Sequence, residues 1–186
     1  YVYQAWDFAI SEGKESDYTV GVCVGQDHYD NLYILDVRRF RSGDGGYTID
    51  EILAFAATWN ADVLGFEVGQ IWKAIEFQFQ ERCEERRQCP SYELLMPLTD
   101  KMVRANPLRG RMQLGKVFFD KHAPYFTDLH KEFLHFPAGK HDDQVDALAW
   151  ADFMGVPIFQ YPTLTAFDPL AVTNVTRSPV STGIFW

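Results

Sequence analysis

The stretch Lys140-His141-Asp142-Asp143-Gln144-Val145-Asp146-Ala147-Leu148-Ala149-Trp150-Ala151 decides how the rest of this chain is read. It sets three carboxylates within five residues at the mouth of an otherwise apolar helix. At about 100° per residue, Asp142, Asp143 and Asp146 fall within one arc of about 100°. Between Leu148 and Phe153 only Asp152 is charged, so the helix is expected to be buried, with Asp146 near its apolar side. Asp142 or Asp143 alone would pass as a helix cap, since a carboxylate satisfies free N–H groups and suits the helix dipole. Capping does not account for Asp146. Buried like charges repel unless a cation joins them, so the pattern points to a divalent metal and to an active site.

Two more acids stand in apolar surroundings. Asp7 interrupts an expected first strand (Ala5-Trp6-Asp7-Phe8-Ala9), and Glu67 ends an expected fourth one (Leu64-Gly65-Phe66-Glu67). Strand C-termini are where open α/β sheets place ligands. With the Asp142, Asp143 and Asp146 cluster they would form an all-oxygen site, which favours Mg²⁺ or Mn²⁺ over Zn²⁺. Two such ions bridged by carboxylates suit phosphodiester cleavage.

The pattern around these acids predicts strands over residues 1–10, 18–25 and 32–37, arranged as an antiparallel meander. A helix is expected from Thr48 as N-cap, with Glu51 completing a capping box and Gly45-Gly46 as a loop hinge. A strand over 61–67, a helix over 71–87 and a strand over 92–96 follow. Residues 101–104 begin a helix or loop that Pro107 and Gly110 interrupt. A short strand over 116–119 and helices over 124–134 and 142–153 complete the domain, residues 1–155. Residues 156–186 read as an extended tail packed on or leaving it. The fold class is α/β, a mixed sheet flanked by helices.

Composition sets the bounds. At 186 residues, 47% of them hydrophobic, the chain can build one real core, and a net charge of −9 argues against a general nucleic-acid-coating protein. Cys23, Cys83 and Cys89 have no zinc spacing and an odd count, so reduced intracellular thiols are expected. No apolar run reaches membrane-spanning length, so no membrane partner is expected, and no phosphate-binding Gly-rich motif of the Walker type occurs. Opening at Tyr1 inside a strand-like pattern suggests excision from something longer.

An Asp in strand one, a Glu ending strand four and an Asp on a late helix resemble the ribonuclease H-like superfamily. The similarity is greatest to the nuclease (C-terminal) domain of phage large terminase subunits. It is carried by Asp7, Asp17-Tyr18-Thr19-Val20, Tyr33-Ile34-Leu35-Asp36-Val37 and Phe66-Glu67. Lys101 to Arg104, Pro107-Leu108, Gly115-Lys116-Val117-Phe118-Phe119 and the run from Phe136-Pro137 to Leu148 continue it in order, so that residues 1–153 are covered. The resemblance implies Asp7, Glu67 and Asp143 as catalytic metal ligands for two Mg²⁺ or Mn²⁺ ions, with Asp142 or Asp146 as a further ligand or supporting acid. It implies double-stranded DNA as substrate and an ATPase domain of the same polypeptide preceding Tyr1. Portal protein and small terminase subunit would be partners, in the host cell cytoplasm during virus assembly.

From Lys101 to His122 six basic residues (Lys101, Arg104, Arg109, Arg111, Lys116 and Lys121) face Asp120 alone, a candidate phosphate track. Arg38, Arg39 and Arg41 form a second one. His141 beside the acids is a candidate for orienting a ligand or water. Competing functions are another ribonuclease H-like nuclease, such as a junction resolvase or transposase core, and a non-catalytic docking domain whose acids only bind structural Ca²⁺ or portal protein.

Overall fold

The computed structural model describes residues 1–9, 17–98, 100–138 and 142–158. His141 and the tail beyond Ile158 lie outside them. In chain order the elements are β1 (Val2–Asp7), β2 (Thr19–Gln26), β3 (Leu32–Phe40), α1 (Gly45–Trp59), β4 (Val63–Glu67) and α2 (Gln70–Arg86). They continue with β5 (Ser91–Leu95), α3 (Lys101–Gln113), β6 (Val117–Phe119), α4 (Phe126–His135) and α5 (Asp143–Ile158).

One six-stranded mixed sheet has the order β5-β4-β1-β2-β3-β6. The first three strands form the expected antiparallel meander; β4 joins β1 in parallel, and β5 joins β4. Strand alternation then divides the core in two. Tyr3 and Ala5 of β1 and Val20, Val22 and Val24 of β2 meet α5 on one face. Trp6, Cys23, Leu64 and Phe66 meet α1 and α2 on the other. The aromatic stack of Phe66 on Trp72, with ring centres 4.2 Å apart, anchors that second layer.

Helix α5 lies close on the sheet because side chains are missing where the two touch. A Cβ on Gly65 of β4 would collide with the side chains of Met154 and Leu95. A Cβ on Gly155 of α5 would strike Gln26 and the Tyr3 hydroxyl, which hydrogen-bond each other at 2.9 Å.

Three expectations are corrected. Helix α1 begins at Gly45, not after Thr48: Asp44 is its N-cap and accepts the Gly46 N–H at 2.8 Å. Thr48 sits inside the first turn, donating its hydroxyl to the Asp44 carbonyl at 3.1 Å, so Gly45-Gly46 is helix and not hinge. Helix α3 is continuous through Pro107 and Gly110, capped by Asp100, whose carboxylate accepts the Val103 N–H at 2.9 Å. Pro107 lies on the exposed side, where water can satisfy the carbonyl it leaves unbonded. Helix α5 runs to Ile158, past the expected helix end at residue 153.

Candidate active site

Parallel pairing sets Ala5 against Gly65 and Trp6 against Phe66, so the next residues, Asp7 and Glu67, end side by side at the C-terminal ends of β1 and β4. Alternation places both on the face that carries α5. Asp143 and Asp146, three residues apart in the first turn of that helix, are 6% and 2% exposed. Four carboxylates from three elements therefore converge. A cleft of about 80 Å³ opens beside them, lined by Asp7, Phe8, Glu67, Gly69, Gln70, Ile71 and Trp72. A larger cavity of about 290 Å³ between α3, α4 and α5 is apolar and has no carboxylate in its lining.

The electrostatics follow from this crowding. Burial pushes the Asp7 carboxyl well above the usual carboxylate range, and the negative charges of Glu67, Asp146 and Asp143 push it further, against the pull of Lys101. Asp146 is matched by cations: Arg104 Nη2 lies 2.6 Å from one oxygen and Lys101 Nζ 2.9 Å from the other. Lys101 also reaches Asp142 at 3.1 Å. Burial works against the Lys101 charge, but Asp146 and Asp142 outweigh it and hold the ammonium above its ordinary range.

Three supports for the acids were not foreseen from the sequence. Trp150 Nε1 donates to Glu67 Oε2 at 2.8 Å, and the Arg104 guanidinium lies 4.3 Å from the Trp150 ring centre. The signal was available, because Trp150 follows Asp146 by four residues and so shares its helix face. The backbone N–H of Tyr18 donates to Asp143 Oδ2 at 3.3 Å. Glu132 of α4 accepts two hydrogen bonds from Gln144. Nothing local in the sequence announces these last two.

The donor set is all carboxylate, which suits a hard divalent cation. Among the described residues no three His, Cys, Asp or Glu side chains already form a cage for an ion. Lys101 and Arg104 instead supply positive charge at Asp146. The residues fit a divalent metal by the chemistry of their donors and by their convergence.

The basic tracks are not continuous surfaces. Arg104 is 7% exposed and committed to Asp146. Arg111 pairs with Asp152 at 2.5 Å and Asp30 at 2.7 Å, with its side chain only 10% exposed. In both, the guanidinium expected to meet a phosphate is turned to a carboxylate of the chain itself. Lys116 donates to the Tyr29 carbonyl at 3.0 Å, while Arg109 and Lys121 are exposed. In the second track Arg38 pairs with Glu51 at 2.7 Å, and Arg39 and Arg41 each stand 3.7 Å from the ring centre of Tyr18.

The sequence profile of the terminase RNaseH-like domain matches residues 4–154. The chain belongs to that terminase family. Its fold is also that of the large terminase nuclease from thermophilic phage G20c with bound magnesium: TM-score 0.58, 17% identity, covering 82% of this chain and 80% of that one. The nuclease domain of the large terminase subunit gp2 of bacterial virus Sf6 matches with TM-score 0.61 and 11% identity over 81% of this chain and 87% of that one. The yeast mitochondrial Holliday junction resolvase Ydc2 matches with TM-score 0.52 and 12% identity, over 81% and 77%. No curated protein sequence matches the chain. The cysteines are free, and no helix among the described residues is long and apolar enough to cross a membrane.

Proposed function

We propose that this terminase-family domain is a metal-dependent DNA endonuclease that cuts concatemeric double-stranded DNA during viral genome packaging. The observation that carries this reading is the convergence of Asp7, Glu67, Asp143 and Asp146 on one end of the sheet. Magnesium and manganese are named with terminase nucleases of the same fold, which supports a divalent cofactor. Asp7, Glu67 and Asp143 would hold two Mg²⁺ or Mn²⁺ ions, with Asp142 or Asp146 as a further ligand. When bound, such ions activate water and stabilise the leaving oxygen of a phosphodiester.

The chain's own residues prepare that chemistry. Trp150 fixes the direction of Glu67 through its indole N–H. Lys101 and Arg104 place positive charge against both oxygens of the Asp146 carboxylate. Lys101, half-exposed, is a cation at the site rim close enough to meet a phosphate. The ATPase domain of the same polypeptide, portal protein and small terminase subunit are the expected partners, in the host cytoplasm. Tethering by a motor would supply the effective concentration that an acidic domain lacks on its own.

Supercoiled plasmid incubated with Mn²⁺ tests the reading: nicking that stops with chelator and with Asp7→Asn is expected. Cleavage persisting in chelator sinks it. Preferential binding to four-way junctions over linear duplex in gel shifts would favour the resolvase alternative, which rests on the shared fold with Ydc2.

A further inference from the structure

The first turn of α5 is held from two directions at adjacent residues. Gln144, 1% exposed, donates its backbone N–H to Glu132 Oε2 at 2.9 Å and its side-chain Nε2 to Glu132 Oε1 at 2.6 Å. Asp143 accepts the Tyr18 backbone N–H at 3.3 Å. Arg39 joins the two holds: its Nη2 lies 3.6 Å from Glu132 Oε1, and its guanidinium carbon 3.7 Å from the centre of the Tyr18 ring. These contacts close a ring through the peptide bond between Asp143 and Gln144.

A helix start leaves N–H groups without partners and attracts negative charge. Helices α1 and α3 satisfy theirs with Asp44 and Asp100, the residues just before them. Such a cap travels with its own helix. In α5 the carboxylate comes from a different helix and is buried, 7% exposed, so it ties α5 to α4 in both distance and rotation. Rotating the first turn of α5 would swing Asp143 away from Asp7 and Glu67.

We propose that Glu132 and Arg39 are positioning residues that set the direction of the Asp143 carboxylate. This role rests on the nuclease reading above. Removing a partner that orients a metal ligand typically weakens metal affinity about 10–100-fold. Glu132→Ala is therefore expected to weaken Mn²⁺ binding, measured by calorimetry without DNA, about tenfold or more. In the metal-free protein the same variant should speed hydrogen exchange at the Tyr18 amide, which Glu132 does not touch. Leu129→Ala, a buried change on the same helix, should lower Tm while leaving Mn²⁺ affinity and Tyr18 exchange as in the wild type. Wild-type Mn²⁺ affinity in Glu132→Ala, or an equal loss in Leu129→Ala, overturns the proposal. If Glu132→Ala does not fold, Arg39→Met carries the same expectations, because it cuts the link between the two holds. If Tyr18 exchange responds but the wild type takes up no Mn²⁺, the nuclease reading fails and the positioning role falls with it.

Discussion

Helices α3 and α5 are tied to each other twice, and the two ties differ in what surrounds them. At the near end Arg104 meets Asp146 among three other carboxylates, with Lys101 as a second cation. At the far end Arg111 meets Asp152, and its second partner, Asp30, belongs to the turn between β2 and β3. Burial pushes the Asp152 carboxyl up, and Arg111 draws it only partly back. The same arginine–aspartate contact thus serves as a charge balance at one end and as an anchor at the other. What distinguishes them is whether more acids stand nearby than the local cations can match.

The largest expected effect separates the ends by function. Asp7→Asn, Glu67→Gln and Asp143→Asn should each lower Mn²⁺-dependent plasmid nicking by roughly a thousandfold, since a bound metal supplies several kcal/mol of charge stabilisation. Far-ultraviolet circular dichroism should remain unchanged. Asp152→Asn, by contrast, should nick normally wherever it folds. A near-end variant that cuts at wild-type rate removes that residue from the site.

A second experiment breaks the ties one at a time. Leaving one member of a buried pair alone costs about 3–5 kcal/mol. Arg111→Met should therefore lower Tm by roughly 10 °C, with no recovery on adding Mn²⁺. Arg104→Met should also lose stability, but Mn²⁺ should restore part of it by taking over the charge of the acids. Equal metal responses in differential scanning fluorimetry would erase the distinction.

Third in size is a pH effect. The folded-state pKa of Asp7 is raised by burial and then by Glu67, Asp146 and Asp143. The folded protein therefore binds this proton more tightly than the unfolded chain. Asp7 favours folding most fully below the ordinary aspartate range, and that contribution is lost as pH rises through the raised value. In chelator, Asp7→Asn should melt above the wild type near neutral pH, with the gap closing towards about pH 4. A gap that widens on acidification would contradict the assigned direction.

The smallest effect concerns DNA. With Arg104 and Arg111 turned inward and Lys101 engaged with Asp142 and Asp146, Arg109 and Lys121 remain as exposed candidates. Replacing both with Ala should weaken binding uniformly across sequences and lower the log-affinity against log-salt slope by up to about 0.9 for each phosphate no longer neutralised. An unchanged slope would make them ordinary solvated charges.

The acids were legible in the sequence because each breaks an apolar pattern: Asp7 and Glu67 in strands, Asp146 in a helix. The antiparallel meander was legible from β-branched runs between turns. The start of α1 was misread because both Asp44 and Thr48 are good caps, and only the backbone decides between them. Helix α3 was read as broken because Pro107 and Gly110 weaken a helix locally, whereas the Asp100 cap and the Arg104 and Arg111 pairs hold it through contacts distant in sequence. The pairing within the basic track was hidden for a related reason: a charge count cannot tell an arginine facing a phosphate from one facing Asp146 or Asp152. Glu132 left no trace, since its partner Gln144 lies beyond a turn on another helix.

Gly65 and Gly155 carry a consequence beyond packing. Two of the converging acids ride on strands and two on α5, so the gap between the pairs is the standoff between helix and sheet. That standoff is calibrated by carbon atoms that are absent. Adding a methyl group at Gly65 would force the side chain of Met154 or Leu95, both buried, to give way at the seam between α5 and the sheet. The fit of helix to sheet beneath the site is thus set by residues outside the converging acids, with no chemistry of their own.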